Sequence, residues 1–112
     1  MAGLGGDIVT GTASAGAVSV EGKVGKITTE SLTTAKDAAY TLTVTDTEVV
    51  ADDIVLASAC LGTATTGVPV VGAVTPADGS FTMIVHNKDT GSAAFNGTLK
   101  ISFLVIKAFA QG

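Results

Sequence analysis

One cysteine and one histidine are the residues of this 112-residue sequence best suited to nucleophilic or proton-transfer chemistry. A nucleophile needs a base within hydrogen-bond reach, and that base is usually oriented by a third group. Cys60 lies inside the apolar run IVLASACL (54–61) and is expected as a small core residue. His86 closes the run FTMIVH (81–86), on the side shared with Thr82 and Ile84, and reads as a surface or interface histidine. No strand-turn-helix elbow presents a serine. One His with one Cys cannot complete a zinc ligand set. No catalytic residue and no cofactor site is therefore assigned.

The stretch TDTEVVADD (45–53) brings together Asp46, Glu48, Asp52 and Asp53. Hard cations such as Ca²⁺ take oxygen ligands from loops, but the spacing departs from the EF-hand pattern and Val49-Val50 interrupts it. The stretch is read as a solvated hairpin connection that keeps strand edges apart, with a cation site as the alternative. No metal ligand is assigned. GLGG (3–6) follows no strand and precedes no Lys-Ser/Thr pair, so it is no phosphate loop. Asn96-Gly97-Thr98 spells a glycosylation sequon, but a tight Asn-Gly hairpin turn explains it better.

Composition narrows the functions further. The net charge is −4, with six lysines and no arginine, so the Lys/Arg stripe of a nucleic-acid binder is missing. No run reaches the roughly 18 apolar residues of a membrane helix. No basic, apolar leader opens the chain, and a single cysteine fits synthesis in a reducing cytoplasm. Apolar residues make up 46% and charged ones only 14%, against about 25% charged in an average domain. A surface of Thr, Ser, Gly and Ala is cheap to desolvate, which suits a protein covered by other protein in its working state.

These residues must be held by strands. Thr and Val dominate after residue 17, and β-branching favours extended backbone. YTLTVT (40–45) puts Tyr40, Leu42 and Val44 on one face and three threonines on the other; FTMIVH repeats the pattern with Phe81, Met83 and Val85 inward. IVLASACL (54–61) and VPVVGAV (68–74) are near-continuous apolar runs, expected as strands covered on both faces. Turns are expected at Asp46-Thr47, Gly62–Gly67, Pro76–Gly79 and Asn96-Gly97, and a possible helical turn near Thr29–Lys36. VGKIT/YTLTV (24–44) is faintly echoed by VGAVT/FTMIV (71–85), either as two related hairpin units or by coincidence. The fold expected is all-β, a single β-sandwich or jelly-roll-like barrel over 17–112, preceded by a flexible Gly-rich N-terminal arm over 1–16.

The last patterned stretch, NGTLKISFLVIKA (96–108), alternates through Phe103 and then becomes apolar on both faces at Leu104–Ile106. That end either sits between two sheets or is closed by another chain.

The segment VGAVTPADGSFTMIVHNKDTGSAAFNGTLKISFLVIKA (71–108), which contains a TPADG turn and is preceded by the threonine-rich strand YTLTVT, resembles small Thr/Ala/Gly-rich β-proteins of tailed-bacteriophage heads, over residues 24–108. These are capsid decoration (cement) proteins or capsid-bound parts of head fibres. The resemblance implies β-sandwich subunits, commonly homotrimers, seated on the outer surface of the virion capsid after synthesis in the host cytoplasm. The major capsid protein and further copies of the chain would be its partners, and no catalytic residues come with the family. On this reading Leu104, Ile106 and Phe109 help close an oligomer interface, Ile84 and His86 are further candidates for oligomer or capsid contact, and the arm lies along the capsid. The alternative is a head-fibre or tail-fibre domain for host attachment, in which Phe95, His86 and the acidic group would be exposed on distal loops.

Overall fold

The computed structural model describes residues 8–106 and contains eight strands among them: β1 (Val9–Thr12), β2 (Ala17–Ser19), β3 (Val24–Thr28), β4 (Ala39–Thr45), β5 (Ile54–Leu61), β6 (Pro69–Ala77), β7 (Ser80–Asn87) and β8 (Leu99–Ile106). They form two four-stranded sheets, β1-β3-β8-β5 and β2-β4-β7-β6, packed as a sandwich. Edge strands β1 and β2 run parallel to β3 and β4; the remaining pairs are antiparallel. The all-β sandwich expected from the sequence is the fold observed.

Alternation builds the core. Tyr40, Leu42 and Val44 of β4 lie opposite Val85, Met83 and Phe81 of β7, and all six are buried. From the other sheet come Ile27, Leu99, Ile101, Phe103 and Val105. The rings of Phe81 and Phe103 meet across the layers with centroids 5.2 Å apart, a tilted geometry favourable for aromatic pairs. The β6–β7 hairpin turns at Asp78-Gly79, where Gly79 takes φ 84, a left-handed conformation that costs glycine little.

Several local expectations change. Half of the segment read as an arm belongs to the sandwich: β1 is an edge strand, and Ala13 is buried. Residues 1–7 lie outside the described residues. The segment near Thr29–Lys36 is irregular rather than helical: Leu32 bridges Gly97, and a turn follows at Lys36-Asp37. Asn96-Gly97 is no hairpin turn. The Asn96 carboxamide instead accepts from the amides of Thr65 and Thr66 and donates to the Thr65 hydroxyl, tying down the β5–β6 loop. Gly97 is required by close approach, since a Cβ there would lie 2.6 Å from Thr63 Oγ1 and 2.7 Å from the Ala64 nitrogen. The internal echo is not a repeated hairpin, because β3 and β4 lie in different sheets whereas β6 and β7 are hydrogen-bonded neighbours.

The acidic connection between β4 and β5 is also different from its reading as a solvated hairpin. It crosses from one sheet to the other, and Asp46 and Asp53 are buried. Asp46 Oδ1 accepts from the amides of Glu48 (3.0 Å) and Gly22 (3.2 Å), while Asp53 Oδ2 accepts from Val50 at 3.0 Å. These carboxylates replace missing backbone partners in a tight turn, the usual work of Asp in loops.

Candidate interaction surface

Strict alternation along β5 and β8 decides which side chains the fold leaves outside. Val55 and the odd-numbered residues of β8 from Leu99 to Val105 face the second sheet. Their neighbours face away: Ile54 opposite Ile106, Leu56 opposite Leu104, Ser58 opposite Ser102, Cys60 opposite Lys100. β3 adds Val24 beside Leu104 and Lys26 beside Ser102. The outer face of this sheet is thus apolar at one end and hydroxyl- and lysine-bearing at the other.

The apolar end is open. Ile54 is 50% exposed, Leu56 53% and Ile106 40%, while Leu104 and Val24 are half-buried. Ile8, immediately before β1, is exposed as well. Leu104 and Ile106 therefore do not enter a second layer of the same subunit; Val105 between them does. Toward the other end lies a groove of about 570 Å³ whose lining includes Thr10, Lys26, Thr28, Cys60, Lys100 and Ser102. None of the four strands of this sheet carries a carboxylate.

Cys60 is exposed in that groove rather than buried in the core. The expectation that β5 and β6 are covered on both faces fails for the same reason: both are edge strands, and their outward residues meet no further layer among the described residues. The apolar composition of IVLASACL hid its period-2 alternation, which alone would have placed Ile54, Leu56, Ser58 and Cys60 on one side.

Ile84 and His86 lie on the outer face of the opposite sheet, half-buried, so they are not brought together with Leu104 and Ile106. His86 packs over Gly72, where a Cβ would come 2.7 Å from Nε2. Phe109 lies outside the described residues. Phe95 is buried, its ring against Gly67, and is no exposed loop aromatic.

The two ends of the sandwich differ chemically. At one, Asn87 is fully buried and uses all its hydrogen-bonding capacity: Nδ2 donates to the carbonyls of Thr34 and Ala93, and Oδ1 accepts from Val68 and Asp89. At the other, the turns carry six carboxylates among the described residues: Glu21, Asp46, Glu48, Asp52, Asp53 and Asp78. The turns that hold them are cross-linked, since Asp46 accepts from Gly22, the Thr47 hydroxyl donates to Glu21, and Asp78 accepts from Ala51. Lys23 pairs with Glu48 at 3.6 Å. Burial raises the Asp46 carboxyl above its ordinary range, against the opposing pull of the Glu48 and Gly22 amides. Burial, the hydrogen bond to Glu30 and its charge likewise raise the Tyr40 phenol.

Among the described residues no group of three or more His, Cys, Asp or Glu side chains is arranged to hold a metal ion. His86 and Cys60 stand on opposite sheets and form no nucleophile–base pair. No family model matches the chain, and no curated protein or solved structure matches it.

Proposed function

We propose that this chain is a non-enzymatic structural protein of a virion, a decoration or cement subunit that binds the outer surface of a bacteriophage head and stabilises the shell. The observation that carries the reading is the outer face of β1-β3-β8-β5, where Ile54, Leu56 and Ile106 remain 40–53% exposed in the protomer. A contiguous apolar sheet face of this kind is a site for protein contact. The low charge of the whole chain, 14%, agrees with coverage by neighbours.

The mechanism is thermodynamic. A subunit that binds assembled shell and not its dissociated parts stabilises the assembly by mass action. Repetition over a symmetric surface adds avidity without strong individual contacts. The partners are the major capsid protein and further copies of this chain. The head-fibre or tail-fibre alternative loses its aromatic anchor, because Phe95 is buried.

The test is to add purified protein to heads assembled without it. Expected are saturable binding at hundreds of copies per particle and a higher temperature of shell disruption. Binding at only a few dozen sites would favour the fibre reading, and no binding would remove the proposal.

A further inference from the structure

The two open sheets of the sandwich have four edges, and three of them are guarded. β1 and β2 are short, at 4 and 3 residues. β6 begins at Pro69, carries Pro76, and breaks its register with β7 between Val71 and Val74. Short strands, prolines and bulges are devices that keep an edge from pairing with another chain. β5 has none of them. Its 8 residues, Ile54–Leu61, include no proline, glycine or charged side chain, and each pairs in unbroken register with β8.

The hydrogen bonds of β8 show which backbone groups of β5 are left over. Val105 donates to the Lys23 carbonyl and Thr29 donates to that of Leu99, so the odd-numbered residues of β8 turn their amides and carbonyls toward β3. The even-numbered ones face β5, and Gly62 donating to the Thr98 carbonyl continues that pattern. Within β5, the residues bonded to β8 are therefore Ile54, Leu56, Ser58 and Cys60. Val55, Ala57, Ala59 and Leu61 direct their N–H and C=O groups past the edge, where no strand among the described residues pairs with them. The flank beneath is incompletely closed. Ala57, Ala59 and Leu61 point toward the second sheet yet stay half-buried, as do Val71 and Val74 of β6 alongside.

We propose that β5 is the attachment edge of the protein and takes an extended segment of the shell protein as a fifth strand of its sheet. The repeat of the free groups selects the occupant. Residues two apart on a strand are about 6.8 Å apart, and another extended backbone offers donors and acceptors at that interval. Such pairing supplies affinity through main-chain hydrogen bonds and specificity through alternate side chains. Side chains of the added strand on the outer side lie next to Ile54 and Leu56, which favours aliphatic residues there, and those on the inner side cover Ala57 and Ala59.

A single segment fits where a second sandwich does not. β6 runs beside β5 along the same flank without hydrogen-bonding to it. Edge-to-edge pairing of two copies therefore brings two β6 strands, with their prolines and irregular registers, against each other. Area also calls for more than the outer face. Strands of 4, 5, 8 and 8 residues make a face of about 400 Å², half of the ~800 Å² per partner of a standard interface. A strand beside β5 widens that face and adds the hydrogen bonds it lacks. The inference rests on the proposed shell binding and specifies how the contact is made.

Proline supplies the test, because it removes one N–H and is tolerated on an edge strand where that N–H faces outward. Ala59→Pro deletes a free edge donor, whereas Ser58→Pro deletes one bonded to β8. Ser58→Pro should lower the unfolding temperature sharply. Ala59→Pro should unfold close to the unmodified chain yet bind heads assembled without the protein about tenfold more weakly, the effect of one lost main-chain hydrogen bond. Ala59→Ser keeps the amide and should bind undiminished. Hydrogen exchange of the unmodified chain needs no variant and decides the matter if Ala59→Pro does not fold. The amides of Val55, Ala57, Ala59 and Leu61 should exchange rapidly in the free protein and slow about a hundredfold on heads. Heads that bind the chain while these amides exchange as in the free protein overturn strand addition and leave shell binding standing. A folded Ala59→Pro that binds undiminished does the same. Slowing of these amides with rising protein concentration, with a dimer mass and no heads present, gives the edge to a second copy and overturns the proposal. Failure of the unmodified chain to bind heads removes both readings together.

Discussion

Leu56 and Leu104 lie directly opposite each other on β5 and β8, and both point away from the core of the protein that contains them. One residue along, Phe103 points inward and is buried against Phe81. Two neighbours in sequence thus have unrelated energetic roles.

That contrast is measurable. Phe103→Ala should cost about 3–5 kcal/mol of folding stability, the range for truncating a buried aromatic. Leu56→Thr should change folding stability by no more than about 0.5 kcal/mol while weakening self-association. Urea unfolding and sedimentation of the two variants separate the effects. A Leu56→Thr protein as destabilised as Phe103→Ala would mean that the outer face is buried within the subunit.

Asn87 should be one of the least replaceable polar residues. Truncation to Ala leaves two carbonyls and two amides in a buried site without their partner. Each such group costs about 1–3 kcal/mol unless water enters. Asn87→Asp should also destabilise, because a carboxylate cannot donate to Thr34 and Ala93. Denaturant midpoints for both variants check this.

Gly97→Ala should destabilise by about 1–3 kcal/mol, the usual range for overpacking. Its Cβ would meet the backbone nitrogen of Ala64 at 2.7 Å, and backbone cannot move aside as a side-chain tip can. Gly79→Ala meets nothing within 4 Å and strains only its φ of 84, at about 1–2 kcal/mol. Thermal unfolding of the pair distinguishes a steric from a conformational cost.

Asp46 sets a pH dependence of unusual sign for a carboxylate. Its pKa in the folded protein is raised above the ordinary 3.8, chiefly by burial, so the folded state holds this proton more tightly than the unfolded chain does. Its contribution to stability is fully present below 3.8 and is lost as pH rises through the folded pKa. Asp46→Asn keeps an oxygen for the Gly22 and Glu48 amides and removes the titration. The variant should gain on the unmodified protein as pH rises from about 3.5 to about 7, seen in urea midpoints across that window. A constant difference over the window would contradict this account.

Cys60 should react with a thiol reagent in the native state, at one equivalent per chain, because it is exposed beside Lys100. Protection that appears with rising protein concentration would report coverage of the face. A native thiol that reacts only after unfolding would instead restore Cys60 to the core.

Much of this architecture was legible in one dimension. YTLTVT and FTMIVH alternate so regularly that their buried faces follow from side-chain period alone, and only extended strands can use that period. The candidate surface was half legible: Leu104 and Ile106 stood out because they broke an alternation. Ile54, Leu56 and Cys60 did not, because every position around them is small or apolar and neither face is marked as wet.

By itself the sequence determined an all-β chain with few charges and the inward residues of its amphipathic strands, since these depend on backbone preference and nearest-neighbour periodicity. Only tertiary structure decided that the Asn96-Gly97 pair braces a distant loop and that the acidic stretch holds buried carboxylates. The same holds for the placing of Leu56, Leu104, Lys26 and Lys100 on one open face. Those outcomes depend on which strands become neighbours across long sequence separations, and pairing of that kind is settled by the packing of the whole sandwich.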